Sequence, residues 1–184
     1  MTALDAARLR RSRPQVSEGA PSDDELLPLI AAAAGVADHA GLRPWRLIAL
    51  RGAARERLGE AFTVASGLAP MDAAKLAAKP LRAPLLLAIV VRHQPSIKVP
   101  DWEQDAAASG VAHLLSLLLD EAGWGVMWRT GGHTRTAPVR LMHGLAENEE
   151  LLGWLYVGGV IEREGGPSAD RKNPVDPREF LSTL

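Results

Sequence analysis

The sequence predicts an α+β domain in which a mixed β-sheet is flanked by helices, and three observations carry that expectation. Two apolar runs, Leu85 to Val91 and Leu151 to Val160, are rich in aliphatic and β-branched residues, as buried strands are. Other stretches carry helical periodicity or open with a capping box. The two kinds of stretch interleave irregularly, without the regular alternation of a doubly wound sheet.

Taken in order, the elements read as follows. Thr2 to about Leu9 is a short helix, with Thr2 as N-cap and Asp5 three residues on. It ends in a basic cluster, Arg8, Arg10, Arg11 and Arg13, before Pro14. After a polar loop, Ser22-Asp23-Asp24-Glu25 opens a second helix through Ala34. Pro28 inside it removes a backbone donor, so a late start or a kink is expected there. Asp38 to Arg43 is a loop, Trp45 to Leu50 a strand, and Ala53 to Ser66 and Asp72 to Lys79 are helices. Leu85 to Val91 reads as a strand buried on both faces. A loop with two prolines spans 92–101, and the longest helix runs from Glu103 to Ala122, with Gly123 suited to its C-terminal turn. Trp124 to Arg129 is strand-like, Thr136 to His143 a short helix capped by Thr136, and Leu151 to Val160 the last strand.

Composition removes many functions. A chain of 184 residues suits one domain, which buries roughly 70% of its unfolded surface. A net charge of −1 gives no general pull toward nucleic acid or anionic membrane. No apolar run reaches the ~18 residues of a membrane-spanning helix, and residues 1–13 lack the apolar stretch of a secretory signal, so a cytoplasmic location is expected. Cysteine is absent, which excludes disulfides, thiolate metal sites, iron–sulfur ligation and cysteine nucleophiles. None of the five histidines is paired at helical metal-ligand spacing, and no P-loop, Gly-x-Ser-x-Gly or Gly-x-Gly-x-x-Gly occurs. Redox chemistry here requires a borrowed cofactor.

Three constellations remain. Arg10-Arg11-Ser12 offers guanidinium forks that match phosphate oxygens and a hydroxyl that both donates and accepts. The plain reading of the same residues is a solvated basic helix end set against the helix dipole. Asp38-His39-Ala40-Gly41-Leu42-Arg43-Pro44-Trp45 runs from a polar loop into a strand, placing side chains at a sheet edge where ligands bind. Its plain reading is a connection anchored by a core Trp45. Gly123 to Gly131 combines glycines that admit close backbone approach, two tryptophans suited to an aromatic ligand, and Arg129. Its plain reading is a glycine-flanked strand with packed indoles.

The order and spacing of these segments resemble the nitroreductase family, particularly its short single-domain NAD(P)H nitroreductases. The resemblance rests on Arg10-Arg11-Ser12, Asp38-His39 with Arg43-Pro44-Trp45-Arg46, Ala83-Pro84, Val99-Pro100-Asp101-Trp102-Glu103-Gln104, Trp128-Arg129-Thr130-Gly131 and Leu155-Tyr156-Val157-Gly158. It implies a nitroreductase-like fold working as a homodimer, with two FMN molecules in the interface and C-terminal segments exchanged. By the same resemblance Arg10, Arg11 and Ser12 bind FMN phosphate and ribityl. Asp38 and His39 reach the flavin of the partner subunit, and Met127, Trp128 and Arg129 cover it. NADH or NADPH delivers hydride to flavin N5, and a nitroaromatic, quinone or similar conjugated acceptor then takes the electrons in a ping-pong cycle. The chemistry lies on FMN, so no catalytic side chain and no metal is expected.

Two departures from the larger members of that family bear on the site. Their lysine two residues after the serine is Pro14 here, and their glutamine before Pro-Trp is Arg43. Positive charge near flavin N1 stabilises the reduced, anionic ring, and Arg13 or Arg43 is the expected replacement. By the same resemblance, residues 1–160 are expected to form the FMN-binding domain. The tail, 161–184, carries Gly165, Gly166 and three prolines and cannot build a core alone, so it is either disordered or strapped across another surface, a strap onto the partner subunit being the favoured reading. Competing expectations are a flavin-fragmenting or dehalogenating enzyme of the same fold, a non-enzymatic flavin-binding module, and a metal-dependent hydrolase built on Asp38 and His39.

Overall fold

In the computed structural model, which describes residues 2–161 and 175–184, a four-stranded sheet separates two layers of helix. The strands are β1 (Trp45–Leu50), β2 (Leu85–Arg92), β3 (Trp124–Arg129) and β4 (Glu149–Gly159), in spatial order β1-β2-β4-β3. The helices are α1 (Ala3–Leu9), α2 (Asp23–Ala33), α3 (Ala53–Ser66), α4 (Pro70–Ala77), α5 (Asp101–Glu121) and α6 (Ala137–Met142).

Local chemistry sets the helix starts. The Thr2 hydroxyl accepts from the Asp5 amide while the Asp5 carboxylate accepts from the Thr2 backbone, and Ser22 and Glu25 repeat the arrangement. α2 neither starts late nor stops at Pro28; it runs unbroken to Ala33 with the proline on its exposed face. At α6 the expected cap differs. Thr136 occupies the N-cap position, but its hydroxyl donates to the His133 carbonyl, closing the preceding turn instead. The stretch expected as one helix over 72–79 is α4 followed by a 3-10 turn at Lys79–Arg82, which Pro80 favours.

β2 is buried along Leu85 to Val91, as its unbroken apolar run requires. Leu85, Leu87 and Ile89 face α2 and α5 and pack with Leu115, Leu119, Leu155 and Val157. Leu86, Ala88 and Val90 face α3 and α6 and pack with Leu58, Phe62, Trp154 and Tyr156.

All three strand pairings are antiparallel, so among the described residues the sheet is not mixed as expected. The reason lies in the connections. α3 and α4 pack on each other between β1 and β2, returning the chain to the end it left, where an antiparallel neighbour starts. Of the tail, residues 162–174 lie outside the described residues. Residues 175–184 are exposed, Phe180 and Leu181 included, with one short 3-10 turn at Pro177–Phe180.

Candidate functional site

β3, an edge strand, organises the site. Period-two alternation sends Val126 into the layer beneath α5, while Met127 and Arg129, paired with Tyr156 and Trp154 of β4, face α3. Trp128 packs edge-on against His113 of α5, ring centres 5.0 Å apart at 85°. The close approach of Trp128 to β4 depends on Gly153, whose φ of 138° lies in the region that favours glycine. A Cβ there would stand 2.9 Å from the Trp128 indole nitrogen.

The basic segment after α1 runs along this edge. The Arg13 amide donates to the Val126 carbonyl at 2.9 Å, and Ser17 forms a bridge with Gly159. Val16 fits over Gly125 and Gly158, where added Cβ atoms would come within 2.7 Å and 2.6 Å of its methyls. Arg129 joins the two segments: its Nη2 donates to the Pro14 carbonyl at 3.4 Å, and its guanidinium lies 5.1 Å from the centre of the Tyr156 ring. Its Nε is buried without a hydrogen-bond partner among the described residues, as is the Trp128 indole nitrogen. The structure therefore brings Arg10-Arg11-Ser12 and Met127-Trp128-Arg129 to one edge of the sheet.

Asp38, His39 and Arg43 are elsewhere. They precede β1, at the opposite edge, three strand spacings or roughly 14 Å from β3. Asp38 accepts from the Arg43 amide at 2.7 Å, and His39 Nδ1 hydrogen-bonds Glu103 of α5 at 2.7 Å. Ala40 and Arg43 both adopt positive φ, 63° and 49°, backbone strain concentrated in this loop. Within this chain the nine expected residues fall into two groups, at opposite edges of the sheet. The two expected replacement cations have other surroundings in this chain. The Arg13 side chain is paired with Asp120 at 3.6 Å, Arg43 is across the sheet, and the cation at Pro14 is Arg129. The metal reading finds no support: no group of three or more potential ligands occurs among the described residues.

A cavity of about 430 Å³ opens beside Arg129 on the α3 side. Phe62, Trp154 and Tyr156 wall it, and Lys79, Arg82 and Arg129 are its cations. Met127, Trp128, Thr130 and His133 complete the lining, and none of these residues is acidic. Burial pushes the Tyr156 phenol up to about 12, against the opposing influence of Arg129 and Arg82, so it stays a neutral donor at ordinary pH. Trp154 is held from behind: its indole donates to His143 Nε2 at 3.0 Å, and His143 Nδ1 donates to the Val139 carbonyl at 2.8 Å. Burial lowers the His143 pKa, consistent with the neutral ring this geometry needs.

Five of the lining residues were not singled out from the sequence, Phe62, Lys79, Arg82, His133 and Trp154, and Tyr156 entered only within the Leu155–Gly158 match, without a role. The alternating Trp154 and Tyr156 in an otherwise aliphatic strand were an available signal. Lys79 and Arg82 carried none, because only the turn around Pro80 aims them at β3.

An antiparallel sheet between two helical layers, with a cationic, aromatic-walled cleft at one edge, defines the class as α+β. The sequence matches the Nitroreductase family over residues 7–159. The Escherichia coli K12 protein named "Putative NAD(P)H nitroreductase YdjA" is 31% identical over 161 residues, 86% of this chain and 88% of its own. A Haemophilus influenzae protein of similar designation is 25% identical over the full length of both chains. Among solved structures, a nitroreductase-like protein from Bacillus cereus superposes with a TM-score of 0.82 at 22% identity, covering 100% of this chain and 96% of its own. A mutant of NfnB, an FMN and NADPH-dependent nitroreductase from Sphigopyxis sp. strain HMH, superposes at 0.78 with 18% identity, covering 100% and 99%. The chain belongs to the nitroreductase family and is an oxidoreductase with that family's fold.

Proposed function

We propose that this chain is an FMN-dependent NAD(P)H oxidoreductase, acting as a cytoplasmic homodimer on nitroaromatic, quinone or similar conjugated acceptors. The observation that carries the reading is Arg129, which ties the Arg10–Pro14 segment to β3 while its buried Nε has no hydrogen-bond partner among the described residues. A buried donor left unsatisfied is costly, and a phosphate or flavin oxygen at this edge would satisfy it. The donor set fits FMN: guanidinium forks and a hydroxyl for phosphate and ribityl, and indole and phenol rings for a flat heterocycle. The names of the Escherichia coli relative and of the Sphigopyxis enzyme support the same cofactor pair.

In this reading Arg10 and Arg11 neutralise the phosphate, and Ser12 binds phosphate or ribityl oxygen. Arg129 supplies positive charge at Pro14, where the larger members of the family carry lysine. Asp38, His39 and Arg43 of the partner subunit complete the pocket, which accounts for their distance from β3 within one chain. Residues 175–184 reach that partner, and the exposed Phe180 and Leu181 are the apolar contacts such a strap would bury. FMN, when bound, relays two electrons from the pyridine nucleotide to the acceptor. The protein positions both. His39 in its own chain is committed to Glu103, and no proton is assigned to it here.

Purification tests the proposal. Flavin absorbance that is released as FMN on denaturation is expected, with steady NAD(P)H oxidation when a nitroaromatic or quinone is added. Arg10→Ala combined with Arg129→Ala should weaken FMN retention by tenfold or more, from roughly 1.5–3 kcal/mol per charged hydrogen bond. Arg92→Ala, an exposed position at the end of β2, should not.

A further inference from the structure

We infer that Glu103 is a positioning residue for the flavin site: it holds His39 with Nδ1 protonated, so that Nε2 is presented, as an acceptor, to the flavin of the partner subunit. The inference rests on the function proposed above, which gives His39 that place, and adds what sets the ring's tautomer and direction.

The geometry starts at the opening turn of α5, where the neighbours Glu103 and Gln104 grip the loop before β1 by separate routes. Glu103 Oε2 lies 2.7 Å from His39 Nδ1. Gln104, buried, accepts from the Gln94 amide at 2.8 Å, and the Gln94 side chain donates to the Leu42 carbonyl at 2.6 Å. Inside the loop Asp38 accepts from the Arg43 amide at 2.7 Å. Residues 38–43 are therefore pinned near both ends, as positive φ at Ala40 and Arg43 requires. The pair is also unequally covered, the His39 side chain being 54% exposed and that of Glu103 26%. The acid is the sheltered end that holds, and the imidazole is the open end.

The chemistry follows from the donor inventory. A carboxylate only accepts, so a neutral imidazole bonded to it carries its proton on Nδ1 and keeps a lone pair on Nε2. Nε2 has no hydrogen-bond partner among the described residues. FMN offers that lone pair donors in its ribityl hydroxyls and its ring N–H. Without Glu103 the ring would revert to the tautomer a solvated imidazole favours, and Nε2 would present a proton instead. The proton concerned stays on Nδ1 and takes no part in the reaction. A second pair on the same helix has the opposite arrangement. His93 bonds Asp105 through Nε2 at 3.0 Å, and there the histidine is the covered partner, 18% exposed against 47% for the acid.

Two readings on the flavin-loaded protein test this, and neither is a rate. Nitrogen NMR of the neutral imidazoles should show His39 protonated on Nδ1, and E103A should move that proton to Nε2. The FMN dissociation constant, read from flavin released on dilution, should rise about fivefold in E103A, as for one hydrogen bond lost. E103Q keeps an oxygen that accepts from Nδ1 and should restore both readings. H39A should weaken FMN binding at least as much as E103A. H39A/E103A should be no worse than H39A alone, because Glu103 acts through His39. D105A removes the other pair and should change neither reading. His39 protonated on Nε2 in the unmodified protein overturns the inference. So does FMN affinity untouched by E103A, failure of E103Q to restore it, additive losses in H39A/E103A, or an equal loss in D105A. If H39A keeps its flavin fully, the place of His39 in the proposed site falls and this inference with it. A protein that carries no flavin at all refutes the function itself; sensitivity to H39A without sensitivity to E103A refutes this inference alone.

Discussion

Arg46 and Glu149 show what individual residues contribute beneath the site. Two hydrogen bonds of 2.7 Å join them in a bidentate pair, and Glu149 is 4% exposed. The hydrogen bonds from Arg46 hold the Glu149 carboxyl below its ordinary range, opposing the effect of burial. A carboxyl with a depressed folded pKa contributes stability that is present above its unfolded pKa and lost as pH falls through the folded one. His143, also depressed, acts in the same direction, since its neutral form is the one the fold accommodates. Thermal unfolding followed from pH 7 downward should therefore show falling stability below about pH 6, first from His143 and then, under about pH 4, from Glu149. Arg46→Met strands a buried carboxylate and should cost about 2–4 kcal/mol at pH 7 in denaturant titration. Gln104 is a second such residue, 1% exposed, accepting from the Gln94 amide and donating to the Gln94 and Val99 carbonyls. It ties the loop after β2 to α5. Gln104→Ala should cost about 1–3 kcal/mol and open the 94–99 amides to hydrogen exchange.

At the scale of elements, β2 and the segment over β3 carry the account. Leu87→Ala empties a fully buried site between β2 and α5 and should cost about 2–5 kcal/mol in equilibrium unfolding. Gly158→Ala acts differently, because its Cβ would meet Val16 and the Ser17 carbonyl, both of them in the strap beside the Arg10–Ser12 cluster. Flavin retention should fall more than stability does; a variant that unfolds readily yet keeps its flavin would show that residues 13–17 do not position the cofactor site. Much at this scale was legible in the sequence. The two capping boxes, the strands at 45–50 and 124–129 and the helix at 53–66 follow from short-range chemistry that any reading of the residues recovers. Strand direction was not legible, because it depends on whether α3 and α4 return the chain to the end it left. The basic and Trp-Arg segments were singled out as candidates by residue type and by the family resemblance. That Arg129 stands at Pro14, and that Lys79 and Arg82 share its cavity, was not, since a turn and an edge pairing remote in sequence create both proximities.

At the scale of the whole molecule the expected site residues fall into two groups. The Arg10–Ser12 and Met127–Arg129 groups meet at β3, and Asp38, His39 and Arg43 occupy the far edge at β1. A strained loop holds that second group in place at the cost of two positive-φ residues. Two copies related by a twofold axis would supply each site with the first group from one chain and the second from the other. Asp38→Ala made in one subunit of a tagged heterodimer should then weaken one flavin of the two, namely the flavin held by the unmutated chain's arginines. The central claim, that cations from β3 and the α1 segment hold a flavin completed by a second chain, has a direct measurement in native mass spectrometry of the purified protein. A dimer carrying two FMN is predicted. A monomer without flavin, unchanged when FMN is added, would contradict it.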